Sequence, residues 1–228
     1  MKLAIVLPTL NEAAGVEAAL AALTPLRARG SVVVVADGGS SDATVARATP
    51  LADRVLAAPR GRAAQMNAGA ACAEAATADA LLFLHADTRL PADADRLIAA
   101  ALERAAWGRF DATIAGTHPM LAVVAALMNW RSRATGIATG DQAIFVRRAA
   151  FDALGGYAPV PLMEDIDFCR RAKRVSRPAC LRARVVTSGR RWERHGVWRT
   201  IGLMWRLRAA YFFGADPARL ARRYRAAR

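Results

Sequence analysis

The sequence predicts an α/β protein in which a mixed, mainly parallel sheet is flanked by helices and followed by a basic helical tail. Short apolar runs, each closed by turn-forming or polar residues, alternate along the first half of the chain with alanine-rich segments of helical composition. Because parallel neighbouring strands need crossover connections, this alternation indicates a sheet covered by helices on both faces. With 228 residues, 54% of them hydrophobic and 23% charged, the chain can bury a full core and is not a disordered protein.

Four strands separated by helices are predicted in the first part of the chain. The predicted strands are residues 3–7, 32–36, 54–57 and 80–84, and the helices between them end near residues 23, 48 and 76. Asn11 is the expected N-cap of the first helix, because an asparagine side chain can accept a hydrogen bond from a free N–H of the first turn.

The second part of the chain continues with both kinds of element. The predicted elements are a helix at 91–106, a strand at 109–115, a helix at 120–130, a glycine-rich loop at 136–142 entering a strand, and a helix from 164. Near residue 188 the composition becomes basic and aromatic. We therefore expect one domain over residues 1–190 and a helical tail packed on it over residues 191–228.

Polar motifs directly follow three of the predicted strands. Asn11 and Glu12 follow the first, residues 37–42 follow the second, and His85 with Asp87 follows the fourth. The carboxyl ends of parallel strands meet at one edge of a sheet, where open α/β folds bind their ligands. The sequence thus predicts one ligand site built from these distant segments.

Each motif has a chemical and a structural interpretation. His85 and Asp87 could hold a cation that binds an anionic substrate, or could belong to an ordinary solvated loop. Asp37 could accept a hydrogen bond from an imide N–H while Gly38 lets a flat ring approach, or the pair could simply form a turn.

Two helix starts carry further candidates. Arg62, with Gln65 and Asn67, lies where free N–H groups and the helix dipole favour a diphosphate, although a solvated helix end has the same pattern. Glu164 and Asp165 could act as a general base, or could be acids that favour a helix N-terminus.

The formal net charge of +14 raises the possibility of a nucleic-acid binder. The charge is concentrated in the tail, where eleven arginines face only Glu193 and Asp216 from residue 190 onward, so we expect no nucleic-acid partner. Residues 197–212 of the tail alternate apolar and basic side chains at helical spacing, which fits either packing on the core or contact with an anionic membrane surface.

Targeting and cysteine patterns point to one compartment. The first apolar run stops at Pro8, too early for a signal-peptide core, and no later run predicts a transmembrane helix. The three cysteines have no disulfide or zinc spacing. We expect a cytoplasmic protein, with peripheral contact to the inner face of the membrane as the alternative for its tail.

Six motifs occur together in a characteristic order and spacing. They are Leu7-Pro-Thr-Leu-Asn11-Glu12, Ala36-Asp-Gly-Gly-Ser-Ser-Asp42-Ala-Thr44, Gly61-Arg-Ala-Ala-Gln-Met-Asn67, His85-Ala-Asp87, Thr139-Gly-Asp141-Gln142 and Glu164-Asp165. Over residues 1–190 this set resembles family 2 glycosyltransferases with the GT-A fold, a Rossmann-like architecture. The segment Arg190-Arg-Trp-Glu-Arg-His-Gly196 is similar to that of small bacterial members of uncertain substrate.

The resemblance implies a sugar transferase that uses a nucleotide-diphosphate donor, UDP-linked, and a divalent cation, Mn²⁺ or Mg²⁺. It implies a nucleotide-binding half at residues 1–90 and an acceptor half at residues 91–190. The residues it assigns to the nucleotide are Pro8, Thr9, Asn11, Glu12, Asp37, Gly38, Arg62, Gln65, Asn67 and Asp87. Those assigned to the acceptor or diphosphate are Gly140, Asp141, Gln142, Arg191 and Trp192, and those assigned to the metal are Asp87, His85 and His195.

The same resemblance assigns the chemistry to Asp165, with Glu164 beside it. Asp165 would remove the acceptor proton in an inverting, hexosyltransferase-type transfer. His85 stands where the family's metal motif usually has its first acid, and His195 could equally be an ordinary surface histidine. Ser188 replaces the glutamine of the Gln-x-x-Arg-Trp signature of processive synthases, so we expect a non-processive enzyme. A non-catalytic sugar-nucleotide-binding protein is the alternative.

Overall fold

The computed structural model describes residues 1–226, which form one eight-stranded mixed sheet with helices on both faces. In spatial order the sheet is β3-β2-β1-β4-β7-β6-β8-β5. The strands are β1 Leu3–Thr9, β2 Val32–Asp37, β3 Arg54–Ala57, β4 Ala80–Phe83, β5 Thr88–Arg89, β6 Trp107–Ala115, β7 Phe145–Arg147 and β8 Ala179–Ser188. The predicted mainly parallel α/β sheet is confirmed.

Four consecutive neighbours in the sheet are parallel, namely β3, β2, β1 and β4. Their register pairs Thr9 with Asp37, so the loops that follow β1 and β2 leave the sheet side by side. β7 is antiparallel to both β4 and β6, and β6 is parallel to β8. The strand ends that carry the predicted motifs therefore share one edge.

Twelve α-helices within the described residues connect these strands or follow them. They are α1 Val16–Ala21, α2 Thr24–Ala28, α3 Thr44–Ala48, α4 Arg62–Ala71, α5 Ala73–Ala76, α6 Ala94–Leu102, α7 Met120–Thr135, α8 Arg148–Ala153, α9 Glu164–Ala172, α10 Arg190–His195, α11 Val197–Phe212 and α12 Pro217–Ala226. One 3-10 turn, Gly140–Gln142, precedes β7.

The core consists of apolar layers on the two faces of the sheet. Alternate residues of β1 enter different layers: Leu3, Ile5 and Leu7 face one layer, and Ala4 and Val6 face the other. The central strands are buried on both sides, which explains why their sequences are continuous apolar runs rather than alternating ones.

Two predictions about helix boundaries are wrong. Asn11 is not an N-cap, because its backbone is left-handed with φ of 55° and α1 starts only at Val16, after Gly15. The predicted continuous helix up to residue 76 is broken at Cys72, whose extended backbone, with ψ of 156°, separates α4 from α5.

The sequence analysis also missed β8, a ten-residue strand. Its signal was present, because Arg182, Arg184 and Val186 are exposed while Val185 and Thr187 are buried, which is the period-two pattern of a strand. The arginines gave the segment a loop-like composition. Packing against β6 along almost its whole length compensates for that composition.

The tail packs on the domain through α11 and α12. Leu207 and Leu220 are buried against Met163 and Ile166 around the start of α9, while Val197 joins a smaller cluster that includes Leu121. The predicted tail, residues 191–228, begins within α10, and its residues 227 and 228 lie outside the described residues. No helix in the described part of the chain has the length and apolar content required to span a membrane.

Candidate active site

The loops after β1 and β2 hold each other in place at the carboxyl edge. The Asn11 N–H donates to Ser40 Oγ at 2.8 Å, and the Ser41 N–H donates to Asn11 Oδ1 at 2.9 Å. The Glu12 N–H donates to Thr44 Oγ1 at 2.8 Å. Asn11, a predicted nucleotide contact, thus fixes the geometry of the two loops and positions Glu12 at their edge.

Asp37 anchors the turn after β2. It is only 4% exposed. One of its oxygens accepts hydrogen bonds from the hydroxyls of Thr9 and Ser40, and the other accepts from the N–H groups of Gly39 and Ser40. A cavity of about 360 Å³ beside it is lined by Asp37 and by residues of α3 and β3, including Val45 and Leu56.

Gln65 and Asn67, two predicted nucleotide contacts on α4, support the surrounding loops. The Gln65 amide donates to the carbonyls of Thr9 at 2.6 Å and Ala36 at 2.9 Å, directly behind the first two strand ends. Gly38 allows this approach, since a Cβ there would lie 3.0 Å from the Gln65 side chain. Asn67 exchanges two hydrogen bonds, of 2.8 and 2.9 Å, with the Tyr157 backbone.

The 3-10 turn Gly140–Gln142 contacts the residues that follow β4. His85 Nδ1 lies 3.2 Å from Asp141 Oδ1. Desolvation raises the pKa of Asp141, but the hydrogen bond and charge of His85, together with the charges of Arg62 and Arg208, outweigh it and lower the pKa to about 2. Asp141 is therefore ionised beside the His85 ring at neutral pH.

Gln142 is fully buried and stabilises the turn from behind. Its amide N–H group donates to Ser132 Oγ at 3.0 Å and to Asn129 Oδ1 at 3.3 Å on α7, and its carbonyl accepts from the Thr139 N–H at 3.3 Å. Of the three residues predicted here as acceptor or diphosphate contacts, the structure gives Gln142 an internal supporting position and leaves Gly140 and Asp141 at the edge.

The Gly140→Ala variant tests how closely His85 and the turn are packed. A Cβ at Gly140 would lie 2.4 Å from His85 Nε2, so the ring must move and its contact with Asp141 is lost. We expect a loss of about 1–3 kcal/mol in the free energy of unfolding, measured by urea denaturation. Gly202→Ala is the control, because no heavy atom lies within 4 Å of a Cβ there.

Adding His85→Ala to Gly140→Ala should restore part of that stability, since the smaller side chain removes the collision. A double mutant less stable than the two single losses combined would contradict the proposed packing.

Asp165 is attached to the same turn. Its Oδ2 accepts from the Gly140 N–H at 3.1 Å, and its Oδ1 accepts from the Ile166 N–H at 2.8 Å at the start of α9. Met163, which precedes the helix, adopts a left-handed backbone with φ of 69° and is buried against the tail. The loop that leads into α9 is thereby fixed, and the Asp165 carboxylate is held at the edge of the sheet.

Glu164 lies beside Asp165 and is buried. Its pKa is raised, first by desolvation and then by the negative charge of Asp165, while the charges of Arg62 and His85 oppose the shift. A buried acid next to a second carboxylate tends to keep its proton to higher pH. The pair can therefore hold one ionised and one protonated group, which is useful in proton transfer.

Glu12, Asp87 and Arg190 form the other side of this edge. Burial and the charge of Asp87 raise the pKa of Glu12, and an ion pair with Arg190 at 3.5 Å opposes that shift. The sequence predicted Arg191, and not Arg190, as a contact of the acceptor or diphosphate. In the structure, Arg191 stacks on Tyr224 at 4.1 Å, and it is Arg190 that pairs with Glu12.

The remaining tail residues lie elsewhere. Trp192 packs with Ile114 and Leu121 in a small apolar cluster. His195 lines a second cavity of about 360 Å³, between α10 and α11, together with Arg191 and Arg199. The Arg-Arg-Trp segment remains a predicted contact region, and the helix geometry decides that Arg190 is the arginine that pairs with Glu12.

The fit of a divalent cation can be judged from the donor groups. Within residues 1–226 there is no group of three or more His, Cys, Asp or Glu side chains placed to hold a metal ion. His85 Nδ1 is engaged by Asp141, and the ring lies so close to Gly140 that a Cβ there would be 2.4 Å from Nε2. Asp87 is exposed with Glu12 nearby, which fits a magnesium-type ion that binds one or two carboxylates and completes its shell with phosphate oxygens.

We call the group of charged residues at this edge the strand-end cluster. Electrostatic or hydrogen-bond contacts link its members, which are Glu12, Arg62, His85, Asp87, Asp141, Glu164, Asp165 and Arg190. Asp37, Gln65, Asn67 and Gln142 support the loops around it, and Pro8 and Thr9 belong to β1. The cluster combines carboxylates suited to a cation and to proton transfer with arginines suited to phosphate.

Comparison with known proteins agrees with this arrangement. The family model described as "Glycosyl transferase family 2" matches residues 4–153. A search of curated proteins gave no significant match. Among solved structures, a mannosyltransferase from Pyrobaculum calidifontis in complex with GDP-Man and Mn²⁺ has a TM-score of 0.66 and 20% identity, over 95% of this chain and 66% of that chain.

Two further structures have the same architecture. Staphylococcus aureus TarS 1-349 in complex with UDP has a TM-score of 0.63 and 16% identity, over 82% of this chain and 60% of that one. Glucosyl-3-phosphoglycerate synthase from Mycobacterium tuberculosis, in complex with Mg²⁺ and UDP, has a TM-score of 0.58 and 19% identity, over 82% and 70%.

The chain spans about 60% of the TarS structure and 66% of the mannosyltransferase. These similarities confirm the GT-A fold. The family match covers well over half of the sequence, and it includes the loops that carry Glu12, His85, Asp87 and Asp141. The chain belongs to glycosyl transferase family 2.

Proposed function

We propose that the protein transfers a hexosyl group from a nucleotide-diphosphate donor, a UDP-sugar, to an acceptor hydroxyl with inversion and without processivity. The observation that carries this proposal is the hydrogen bond from the Gly140 N–H to Asp165. Gly140 belongs to the turn whose Asp141 contacts His85, the residue that follows β4. A proton acceptor is thereby held at the same edge as Asp87, the carboxylate available for a donor-bound cation. Ser188, in place of the glutamine of processive synthases, supports single transfer.

The reaction follows from these positions. Asp165 takes the proton of the acceptor hydroxyl while the acceptor oxygen forms a bond to the anomeric carbon and the bond from that carbon to the diphosphate breaks. Asp87 would hold the divalent cation together with the donor diphosphate, and such a cation stabilises the charge that develops on the leaving group. Arg62, whose charge acts on Asp141 and Glu164, and Arg190, which pairs with Glu12, supply further positive charge to the strand-end cluster.

Two relatives support a diphosphate donor. TarS is described in complex with UDP-GlcNAc and the mannosyltransferase with GDP-Man. The cavity beside Asp37 is the place we propose for the nucleobase. We favour UDP because the family motifs found in the sequence analysis imply it.

A thermal-shift screen followed by a product assay tests the proposal. UDP and GDP are each added with Mn²⁺, with Mg²⁺ or with a chelator, and a rise in the melting temperature should require both a nucleotide and a metal. Incubation of the matching nucleotide sugar with a mixed hydroxyl panel should then release the nucleotide diphosphate and give a sugar-modified acceptor. Binding without any turnover would favour the alternative, a non-catalytic sugar-nucleotide-binding protein.

We also propose that α11 contacts an anionic membrane surface, on the cytoplasmic side. Trp198, Trp205 and Phe212 recur every seven residues along the helix and are 68%, 70% and 72% exposed. Arg199 and Arg206 are exposed between them. Large aromatic side chains beside arginines are typical of helices that lie in a lipid interface.

Vesicle co-sedimentation checks this location. We expect the protein to sediment with phosphatidylserine-containing vesicles and not with pure phosphatidylcholine, and high salt should weaken the binding. The double variant Trp198→Ser and Trp205→Ser should lose most of it, whereas Trp130→Ser, which removes an equally exposed tryptophan from α7, should retain it. Equal binding by the double variant and the unmodified protein would exclude α11 as the contact.

A further inference from the structure

Arg131, on α7, is a partly buried arginine whose side chain has unused hydrogen-bond donors. Its Nε and one Nη are buried and have no hydrogen-bond partner among the described residues. Desolvation, followed by the like charge of Arg208, lowers its pKa to about 10. Burying guanidinium N–H groups without acceptors is costly, so such a group requires an explanation.

Another arginine of α7 has the carboxylate partner that Arg131 lacks among the described residues. Arg133, two residues further along, binds both oxygens of Asp111 at 2.9 Å. Neither Arg131 nor Arg208 forms an ion pair of this kind within the part of the chain that the structure describes. Two neighbouring cations therefore lack the carboxylate that Arg133 has.

Contacts of α7 place Arg131 beside the turn that holds the proposed base. Met128 Sδ lies 3.5 Å from Thr139 Oγ1, and Ser132 Oγ accepts from Gln142 Nε2 at 3.0 Å. Met128, one helical turn before Arg131, and Ser132, directly after it, therefore contact the two ends of this segment. The Gly140 N–H of the same turn donates a hydrogen bond to Asp165. The charge of Asp165 acts on Arg131, in agreement with this placement.

Arg208 reaches the same place from α11. Its neighbour Leu207 is buried against Met163 and Ile166, at the start of α9. The charge of Arg208 acts on both Arg131 and Asp141. Three separate helices, α7, α9 and α11, thus place two guanidinium groups and one carboxylate within range of one another's charge.

We propose that Arg131 and Arg208 form an anion subsite beside Asp165 that binds a carboxylate or phosphate group of the acceptor. Guanidinium groups suit either anion because their planar N–H groups can bind two oxygens at once. The identification of the ligand as the acceptor rests on the proposed transferase function. An acceptor bound through its anion would present a neighbouring hydroxyl to Asp165, so the acceptor class is a hydroxylated acid or phosphate ester.

The test uses inorganic phosphate and acetate as separate probes at constant ionic strength, with UDP and Mg²⁺ present to fill the donor site. Calorimetry should detect binding of at least one probe to the unmodified protein, and which probe binds distinguishes a phosphate from a carboxylate subsite. Arg131→Met and Arg208→Gln should each weaken that binding at least about tenfold, the loss typical of one charge-assisted hydrogen bond. Arg206→Gln, an exposed arginine on the same helix, should leave it unchanged.

Stability provides a second readout that a merely structural arginine would not give. Without added anion, Arg131→Met should raise the melting temperature, because it replaces an uncompensated buried charge by an apolar side chain. In the same variant, the rise in melting temperature on adding the bound probe should be lost.

The outcomes separate this inference from the transferase proposal. Unchanged probe affinity in Arg131→Met, absence of binding by both probes, or loss of binding in Arg206→Gln alone would overturn the anion subsite. If Arg131→Met loses the UDP-dependent shift in melting temperature, the arginines bind the donor rather than the acceptor, and the anion subsite is overturned as well. Loss of probe binding in Arg131→Met, in a protein that shows no UDP response at all, would uphold the subsite and reject the transferase.

Discussion

Replacing Asp165 by asparagine is expected to abolish detectable sugar transfer while leaving donor binding nearly intact. The amide cannot accept the acceptor proton, and loss of a general base typically lowers kcat by about 10²–10⁴-fold. The measurement is release of the nucleotide diphosphate with a productive acceptor, together with the thermal shift caused by nucleotide and metal.

The substitution also disturbs a hydrogen bond. Asp165 accepts from both the Gly140 and the Ile166 N–H groups, and an asparagine must turn its NH₂ group toward one of them. The mismatch lowers the free energy of unfolding by about 1–3 kcal/mol, so the assay must be run well below the melting temperature.

Glu103→Gln is the control and should retain transfer, since it removes an exposed carboxyl outside the strand-end cluster. A variant at Asp165 that lost the donor-induced shift would place this residue in donor binding and contradict its role as the base.

Replacing Asp87 by alanine is expected to remove the metal-dependent part of donor binding. Asp87 is an exposed carboxylate, so its loss should leave the apo melting temperature almost unchanged. For the unmodified protein, a ligand at a hundred times its Kd adds about 2.7 kcal/mol, which corresponds to a shift of about 5–11 °C for a chain of this size. In the variant this shift should fall to the level seen with the nucleotide and a chelator.

Glu103→Ala, which removes another exposed carboxylate at the end of α6, should keep the full shift. If Asp87→Ala keeps it too, the cation is held by other groups or donor binding needs none. His85→Ala gives a useful comparison, because the ring contacts Asp141 through Nδ1 and packs closely on the turn at Gly140. It should alter the position of the turn more than the metal requirement.

The sequence was most informative about where strands end. Runs such as residues 3–7 and 32–36 are apolar without interruption, and β-strands buried on both faces need that composition. The second run ends at the pair Gly38-Gly39, just after β2, whereas Pro8 interrupts the first run without ending β1, which extends to Thr9. Because the strands are parallel, these local signals predicted correctly that distant polar motifs meet at one edge.

The sequence was less informative about what each polar side chain does there. Gln65 and Gln142 are buried, and their amides bind backbone or side-chain groups behind the loops. Arg190, not Arg191, approaches the loop after β1. Buried polar groups need hydrogen-bond partners. Here those partners come from elements far away in the chain, so the local sequence does not indicate them.

By itself, the sequence determined the family and the first four strands of the sheet, and it predicted one site shared by Asp87 and Asp165. Local propensities and apolar patterning are properties of short segments, which is why they could be read directly. The tertiary structure alone decided which side chains support the loops and which remain at the edge of the sheet, and it alone placed Arg131 within range of the charge of Arg208. The placement of these two arginines depends on the packing of α7, α9 and α11, because only the relative positions of the helices decide which buried charges have partners.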